Sequence, residues 1–213
     1  RVQLVSVGGQ RRLYSRSGDD IGGTFPDVVE AMEFEGVLDG ELLVRNAAGG
    51  PAPFNDLQQR LNRKTVTGKM LAERPAYVIA YDILFDGAED LREWPLAERR
   101  ARLDDFLAHH GGDRFEPSPI LRGHDWEAVA GLQAEARRLG REGLMLKRRD
   151  SLYVAGRVKG LWFKWKRDPL TADAVLLYAQ RGHGKRSSFY SDYTFGVWRG
   201  EELVPVGKAY FGF

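Results

Sequence analysis

The chain has 213 residues, 43% hydrophobic and 29% charged, enough for one sizeable core or for one large and one small domain. It contains no cysteine, which excludes disulfides and thiolate zinc sites, and its four histidines (109, 110, 124 and 183) lack metal-ligand spacing. The net charge of +2 conceals a basic block: residues 141–190 hold 12 Lys/Arg against 4 Asp/Glu, which suits a polyanionic partner or a solvated basic surface.

In chain order, residues 2–7 (VQLVSV) and 11–15 alternate as a hairpin around Gly8-Gly9. FPDVVEAMEF (25–34) reads as a short helix with Thr24 as N-cap and Pro26 in its first turn. VLDGELLVRN (37–46) alternates as a strand, AAGGPAP forms a loop, and FNDLQQRLNRK (54–64) has helical spacing. AYVIAYDILF (76–85) is a mostly apolar buried strand. PLAERRARLDDFLAHH (95–110) is a helix stopped by Gly111-Gly112, with His109 and His110 in a capping position at its end. DWEAVAGLQAEARRLG (125–140) is a second long helix, Asp125 its N-cap and Gly140 just past its end. GLMLKRR and LWFKWKR follow as strands. After Asp168-Pro169 only short strands remain: TADAVLLYAQ, YTFGVWRG and ELVPVGKAY. A mixed first part and an all-β second part are expected, divided near residues 168–171. No apolar run approaches the roughly 18 residues a membrane span needs, so no membrane partner is expected and a cytoplasmic location is. Both ends read as cut, since the chain opens on Arg1 directly into a strand and closes on one.

Several stretches carry groups suited to chemistry. In SRSG (15–18), Arg16 ends a hairpin strand, where a guanidinium can fork onto phosphate oxygens or simply decorate a turn. In LDGELL (38–43), Asp39 and Glu41 share a strand face able to hold a divalent cation or ribose hydroxyls, and Gly40 permits a close approach. Tyr81 is a core aromatic or a flat platform for a nucleobase. In GREGLMLKRRDS (140–151), strict alternation sets Glu142 and Lys147 on opposite faces unless Glu142 sits on the preceding turn, which ranks Lys147 lower. In LWFKWKRD (161–168), alternation puts Trp162, Lys164 and Lys166 on one face, with the two ammonium groups roughly 7 Å apart. That pair is either a solvated strand face or a cation site for phosphate. GHGKRSS (182–188) departs from a P-loop because Arg186 follows Lys185 where Ser or Thr is required; a basic loop facing a nucleic-acid backbone fits better.

Taken together, SRSG, LDGELL, AYDIL (80–84), EGLMLK (142–147) and WFKWK (162–166), followed by a small β region, resemble the covalent nucleotidyltransferase superfamily, most closely the ATP-dependent DNA ligases. The resemblance spans almost the whole chain; EGLMLK some twenty residues before WxKxK is its specific pairing. It implies an α+β fold. Residues 1–168 would be an ATP-grasp-like nucleotidyltransferase (adenylation) domain of antiparallel sheets with flanking helices, lacking its N-terminal part. Residues 169–213 would begin an OB-fold. The implied enzyme seals nicked double-stranded DNA in repair, replication or recombination, with ATP and Mg²⁺ as cofactors. A lysine attacks the α-phosphate of ATP to give lysyl–AMP, AMP passes to the 5′-phosphate of the nick, and the 3′-hydroxyl displaces it.

Carried over residue by residue, Arg1 would be the last arginine of the family's KxDGxR motif. Arg16 would contact phosphate or nicked DNA, Glu41 would bind ribose and help hold the metal, and Tyr81 would stack on adenine. Glu142 would serve the metal, Lys147 would belong to the same nucleotide site, and Lys164 and Lys166 would meet the α-phosphate. Lys185 and Arg186 would touch DNA. No KxDG occurs in residues 1–213, nor does the family's C-terminal motif that orients pyrophosphate, so a fragment unable to form lysyl–AMP alone is expected. A monomer working near the nucleoid is the implied setting. RNA ligases and GTP-using capping enzymes share the motif order, and a non-catalytic nucleic-acid-binding module shares the basic block.

Overall fold

The computed structural model describes residues 1–61, 63, 65–138, 141–156, 158–166, 171–182, 184 and 187–210, apart from the side chain of residue 137. It divides into two compact units, Arg1–Lys166 and Arg167–Phe213.

The first unit is built on a sheet ordered β2-β1-β3-β4-β5, from Gln10–Ser15, Val2–Val7, Gly36–Val44, Ala76–Asp86 and Glu89–Asp90. These neighbours are all antiparallel; the short β6, Phe115–Pro117, pairs with β4 in parallel. Alternation sorts the side chains. Leu4, Leu13, Leu38, Leu42, Val78 and Ala80 are buried on one face, against Val28, Leu57, Leu103, Phe106 and Leu107 from the helices α1 (Pro26–Glu30), α2 (Phe54–Leu61) and α4 (Leu96–His110). Phe106 and Phe115 pack edge-on against Phe34 at 5.2 and 5.5 Å between centroids.

Asp27 and Arg60 lock α1 to α2. The guanidinium, 0% exposed, donates to both Asp27 oxygens and to the carbonyls of Thr24 and Arg74, while the Ala76 N–H donates to Asp27. The expected helix at 25–34 is only five residues long, and its N-cap is Phe25 rather than Thr24. Thr24 instead ends a 3₁₀ turn, with its hydroxyl spent on the Ile21 carbonyl. A short helix α3, Gly68–Glu73, is capped by the Thr67 hydroxyl and has no counterpart in the sequence reading.

A second, two-stranded antiparallel sheet pairs β7 (Gly143–Lys147) with β8 (Trp162–Lys166), and α5 (Trp126–Arg138) packs on β7. Asp125 caps α5 by accepting from the Ala128 N–H at 2.8 Å; Gly140, expected past its end, lies outside the described residues. Gly143 has φ +139°, and a Cβ there would lie 2.1 Å from the Trp165 carbonyl oxygen, so only glycine lets the strands close at this end.

The second unit is a three-stranded antiparallel sheet, ordered β11-β10-β9, formed by Val175–Arg181 (β9), Tyr190–Arg199 (β10) and Glu202–Tyr210 (β11). Among the described residues no helix is long and apolar enough to cross a membrane.

Candidate active site

The face of the large sheet turned away from the helical core carries polar side chains at its centre. Gln3 and Asp39 are direct cross-strand partners, and the Gln3 amide donates to Asp39 Oδ1 at 2.9 Å. Tyr153, from the chain leading out of β7, donates its hydroxyl to Asp39 Oδ2 at 2.8 Å. Held at both oxygens, Asp39 is 3% exposed. Glu41, two residues on, takes the same face but is exposed. Between them Gly40 has no room for a side chain: a Cβ would lie 2.4 Å from Val78 Cγ1 and 3.0 Å from the Ile79 carbonyl oxygen. The close approach read from the sequence is therefore made by β4. The register with β4 slips at this point, so that Asp39 pairs with Asp82, Gly40 with Ala80, and Tyr81 is the extra residue of a bulge.

Arg1, Gln3, Arg16, Asp39 and Tyr153 line a cavity of about 300 Å³ together with the turn Ser15–Gly18. Gly18, at φ +92°, closes that turn with its N–H on the Ser15 carbonyl, which leaves Arg16 at the cavity wall.

Beneath the site, Arg99 and Asp82 form an ion pair that is 0% exposed on both sides, two-pronged at 2.8 and 2.9 Å. Arg99 also donates to the carbonyls of Trp94 and Ser151. Ser151 is a junction: its carbonyl accepts from the Leu96 N–H as well, and its hydroxyl accepts from the Trp162 indole N–H at 3.1 Å. The chain between β7 and β8 is thus stitched to α4, to β8 and, through Tyr153, to Asp39.

Lys147 joins the two sheets. It pairs with Trp162 across the β7–β8 ladder, and its ammonium lies 4.1 Å from the centroid of the Trp162 ring and 4.4 Å from that of Tyr81. Burial lowers its pKa to about 8, the Arg100 and Arg99 guanidinium groups acting in the same direction and Asp82 and Asp39 opposing. Burial, then the negative charge of Asp39, pushes the Tyr81 and Tyr153 hydroxyls well above the ordinary phenol range, so both stay neutral hydrogen-bonding groups. By alternation alone Lys147 opposes Glu142, which ranks it low among the candidates. Glu142, however, precedes the strand, in the exposed segment before Gly143, and alternation does not bind it.

Met145 pairs with Lys164 and Gly143 with Lys166, so both lysines share the Lys147 face, as alternation predicts. They are exposed, and neither ammonium has a hydrogen bond or ion pair with the described residues. Leu144, Leu146, Phe163 and Trp165 take the opposite face, where Trp165 meets Trp126 of α5 edge-on at 6.5 Å. Lys185 and Arg186 lie outside the described residues. Gln3, Ser151, Tyr153 and the Arg99–Asp82 pair escaped the sequence reading. Asp82 sits inside AYDIL, and an acid in an otherwise apolar strand is the one available signal. Among the described residues no group of three or more His, Asp or Glu is placed to hold a metal ion.

Comparison with known proteins identifies the family of the chain. The sequence model of the ATP-dependent DNA ligase domain matches residues 1–166. A protein of Koribacter versatilis named "Probable DNA ligase" is 36% identical, covering 94% of this chain and 39% of its own length. The DNA ligase of Methanoculleus marisnigri is 35% identical over 100% of this chain and 38% of its own length, so the chain spans about two fifths of such curated relatives. Among solved structures, the ligase domain of M. tuberculosis LigD has a TM-score of 0.60 at 27% identity, covering 99% of this chain and 64% of that one. The mycobacterial DNA ligase D complexed with ATP and MES has a TM-score of 0.63 at 26% identity, covering 100% and 64%. The mixed fold with its antiparallel sheets is thus that of the ligase domains, and by its sequence the chain belongs to the ATP-dependent DNA ligase family.

Proposed function

We propose that this chain is part of the catalytic core of an ATP-dependent DNA ligase, with residues 1–168 as its adenylation domain and 169–213 as the beginning of an OB-fold. The observation that carries the reading is the meeting of Lys147 with Tyr81: it joins the face bearing Asp39 and Glu41 to the face bearing Lys164 and Lys166. Tyr81 offers a flat, neutral ring to adenine. Glu41 faces ribose, and Arg16, at the cavity wall, faces phosphate. Lys164 and Lys166, free of partners among the described residues, supply positive charge to the α-phosphate, where phosphoryl transfer depends on positioning and electrostatic stabilisation more than on covalent help. Arg1 and Lys147 belong to the same nucleotide site.

Mg²⁺ suits the donors on offer, since it is typically held by one or two carboxylates together with substrate phosphates. Glu41 and Glu142 are both exposed and are the residues that would hold it, whereas Asp39 is already engaged at both oxygens. Bound there, the ion would neutralise phosphate oxygens. Lys185 and Arg186 are proposed to contact the DNA backbone. The lysine that would carry AMP is not within residues 1–213, which contain no KxDG.

The test uses the polypeptide as its gene encodes it, on a duplex with one 5′-phosphorylated nick. ATP- and Mg²⁺-dependent sealing of the DNA nick, with little sealing of RNA ends or with GTP, is expected. Salt-sensitive binding to any duplex with neither sealing nor nucleotide binding would replace the reading with that of a passive nucleic-acid-binding module.

A further inference from the structure

We infer that Lys147 is a resident competitor for the aromatic slot of Tyr81, and that a nucleobase stacks there only after displacing its ammonium. This rests on the reading of Tyr81 as the base platform and adds how access to that platform is controlled. The ammonium is held in place from several directions. Trp162 lies against it at 4.1 Å and is itself fixed by the indole hydrogen bond to Ser151. Tyr81 lies against it at 4.4 Å, on the bulge of β4. The charged groups around it are Asp82 on β4, Asp39 on β3, and Arg99 and Arg100 on α4. Both acids are already engaged: Asp82 by Arg99, and Asp39 by Gln3 and Tyr153. No ion pair binds Lys147 among the described residues, so the two π-faces are its principal partners.

A cation within about 6 Å of a ring centroid covers one quadrupolar face of that ring, and we place the base on that same face of Tyr81, the one turned to Lys147. The two interactions are of similar strength, since both cation–π contacts in desolvated sites and base–aromatic stacking lie in the low kcal/mol range. Lys147 therefore sets a threshold for binding without closing the slot. Its four-carbon stem allows withdrawal by side-chain rotation, with no change in β7.

The sign of one mutational effect decides the matter. If Lys147 were a phosphate ligand, Lys147→Ala would weaken binding of a triphosphate and leave adenosine unaffected. If it occupies the slot, Lys147→Ala strengthens adenosine binding by about tenfold, a factor in keeping with one cation–π contact. The probes are adenosine and α,β-methylene ATP, which cannot transfer its α-phosphate, titrated calorimetrically into the encoded polypeptide. Lys147→Gln, which removes the charge but keeps most of the stem, guards against loss of fold, and each variant is first checked by thermal melting. Tighter adenosine binding by both variants is the expected result. Unchanged or weaker adenosine binding in a folded variant overturns the inference. Tyr81→Ala separates this from the underlying reading: if that variant binds both probes as well as the unaltered protein does, Tyr81 is not the platform and both readings fall.

Discussion

The two ends of the β7–β8 sheet carry the same kind of side chain on the same face and treat it in opposite ways. At one end Lys147 is enclosed by Trp162 and Tyr81, above the buried Arg99–Asp82 pair, and burial has lowered its pKa to about 8. At the other end Lys164 and Lys166 stand in solvent without a partner among the described residues. Strand alternation is blind to this difference. It is made by what lies beyond the strands: the bulge of β4, the start of α4 and the chain segment around Ser151. A lysine held in place inside a folded unit and a lysine kept free on its surface are suited to different tasks, one to gating and one to meeting a phosphate.

Removing the support of the enclosed end should have the largest effect. Asp82→Ala leaves Arg99 charged and unpaired in a 0%-exposed site, which should cost about 3–5 kcal/mol in denaturant melts. A loss below about 1 kcal/mol would mean that the guanidinium reaches water in solution.

The enclosed end should also be visible in the pH dependence of stability. An unfolded lysine titrates near 10.5 and Lys147 in the folded chain near 8, so between these values the unfolded chain holds a proton that the folded chain has shed. Lys147's contribution therefore rises with pH from about 8 to 10.5, by at most about 3 kcal/mol, and below pH 8 its burial cost applies in full. The neutral tyrosines act oppositely above about pH 10, because their folded pKa values are raised and stability falls once the unfolded phenols ionise. Subtracting the profile of Lys147→Met up to pH 10 isolates the lysine, and parallel profiles would show that its ammonium is solvated.

The open end should respond in activity alone. Lys164→Ala and Lys166→Ala should each slow self-adenylation of the encoded polypeptide by about a hundredfold. Stability should stay within about 0.5 kcal/mol, because neither side chain is packed. Near-normal labelling by α-labelled ATP in both variants would contradict their proposed role. The smallest effect is expected where the segment after β7 meets β3. Tyr153→Phe deletes the hydroxyl on Asp39 Oδ2 and should cost about 2 kcal/mol, a typical worth for a hydrogen bond to a charged group. An unchanged melting temperature would mean that water replaces it.

Much of this was legible in the residues. The hairpin at Gly8-Gly9, the apolar strand at 76–85, the two long helices and the three terminal strands all follow from periodicity and punctuation, which are local properties of the chain. The lysine face of β8 was readable for the same reason. Thr24 misled because a hydroxyl before Pro26 looks like a cap, yet the 3₁₀ turn behind it had already taken that hydroxyl. The six-residue α3 is too short to show a period. Lys147 was ranked low because alternation was extended one residue beyond the strand, across Gly143, whose left-handed φ breaks it.

The sequence by itself determined the order of the elements, the family pattern of its motifs and the faces on which Asp39, Glu41, Lys164 and Lys166 lie, since these depend on neighbours one to six residues away. Only the tertiary structure decided that Asp39 would be held by Gln3 and by Tyr153, 114 residues distant, and that Lys147 would be the cation enclosed between aromatic rings. The reason is physical: a charge is tuned by the dielectric and dipoles around it, and those arrive from strands that meet only when the chain is folded.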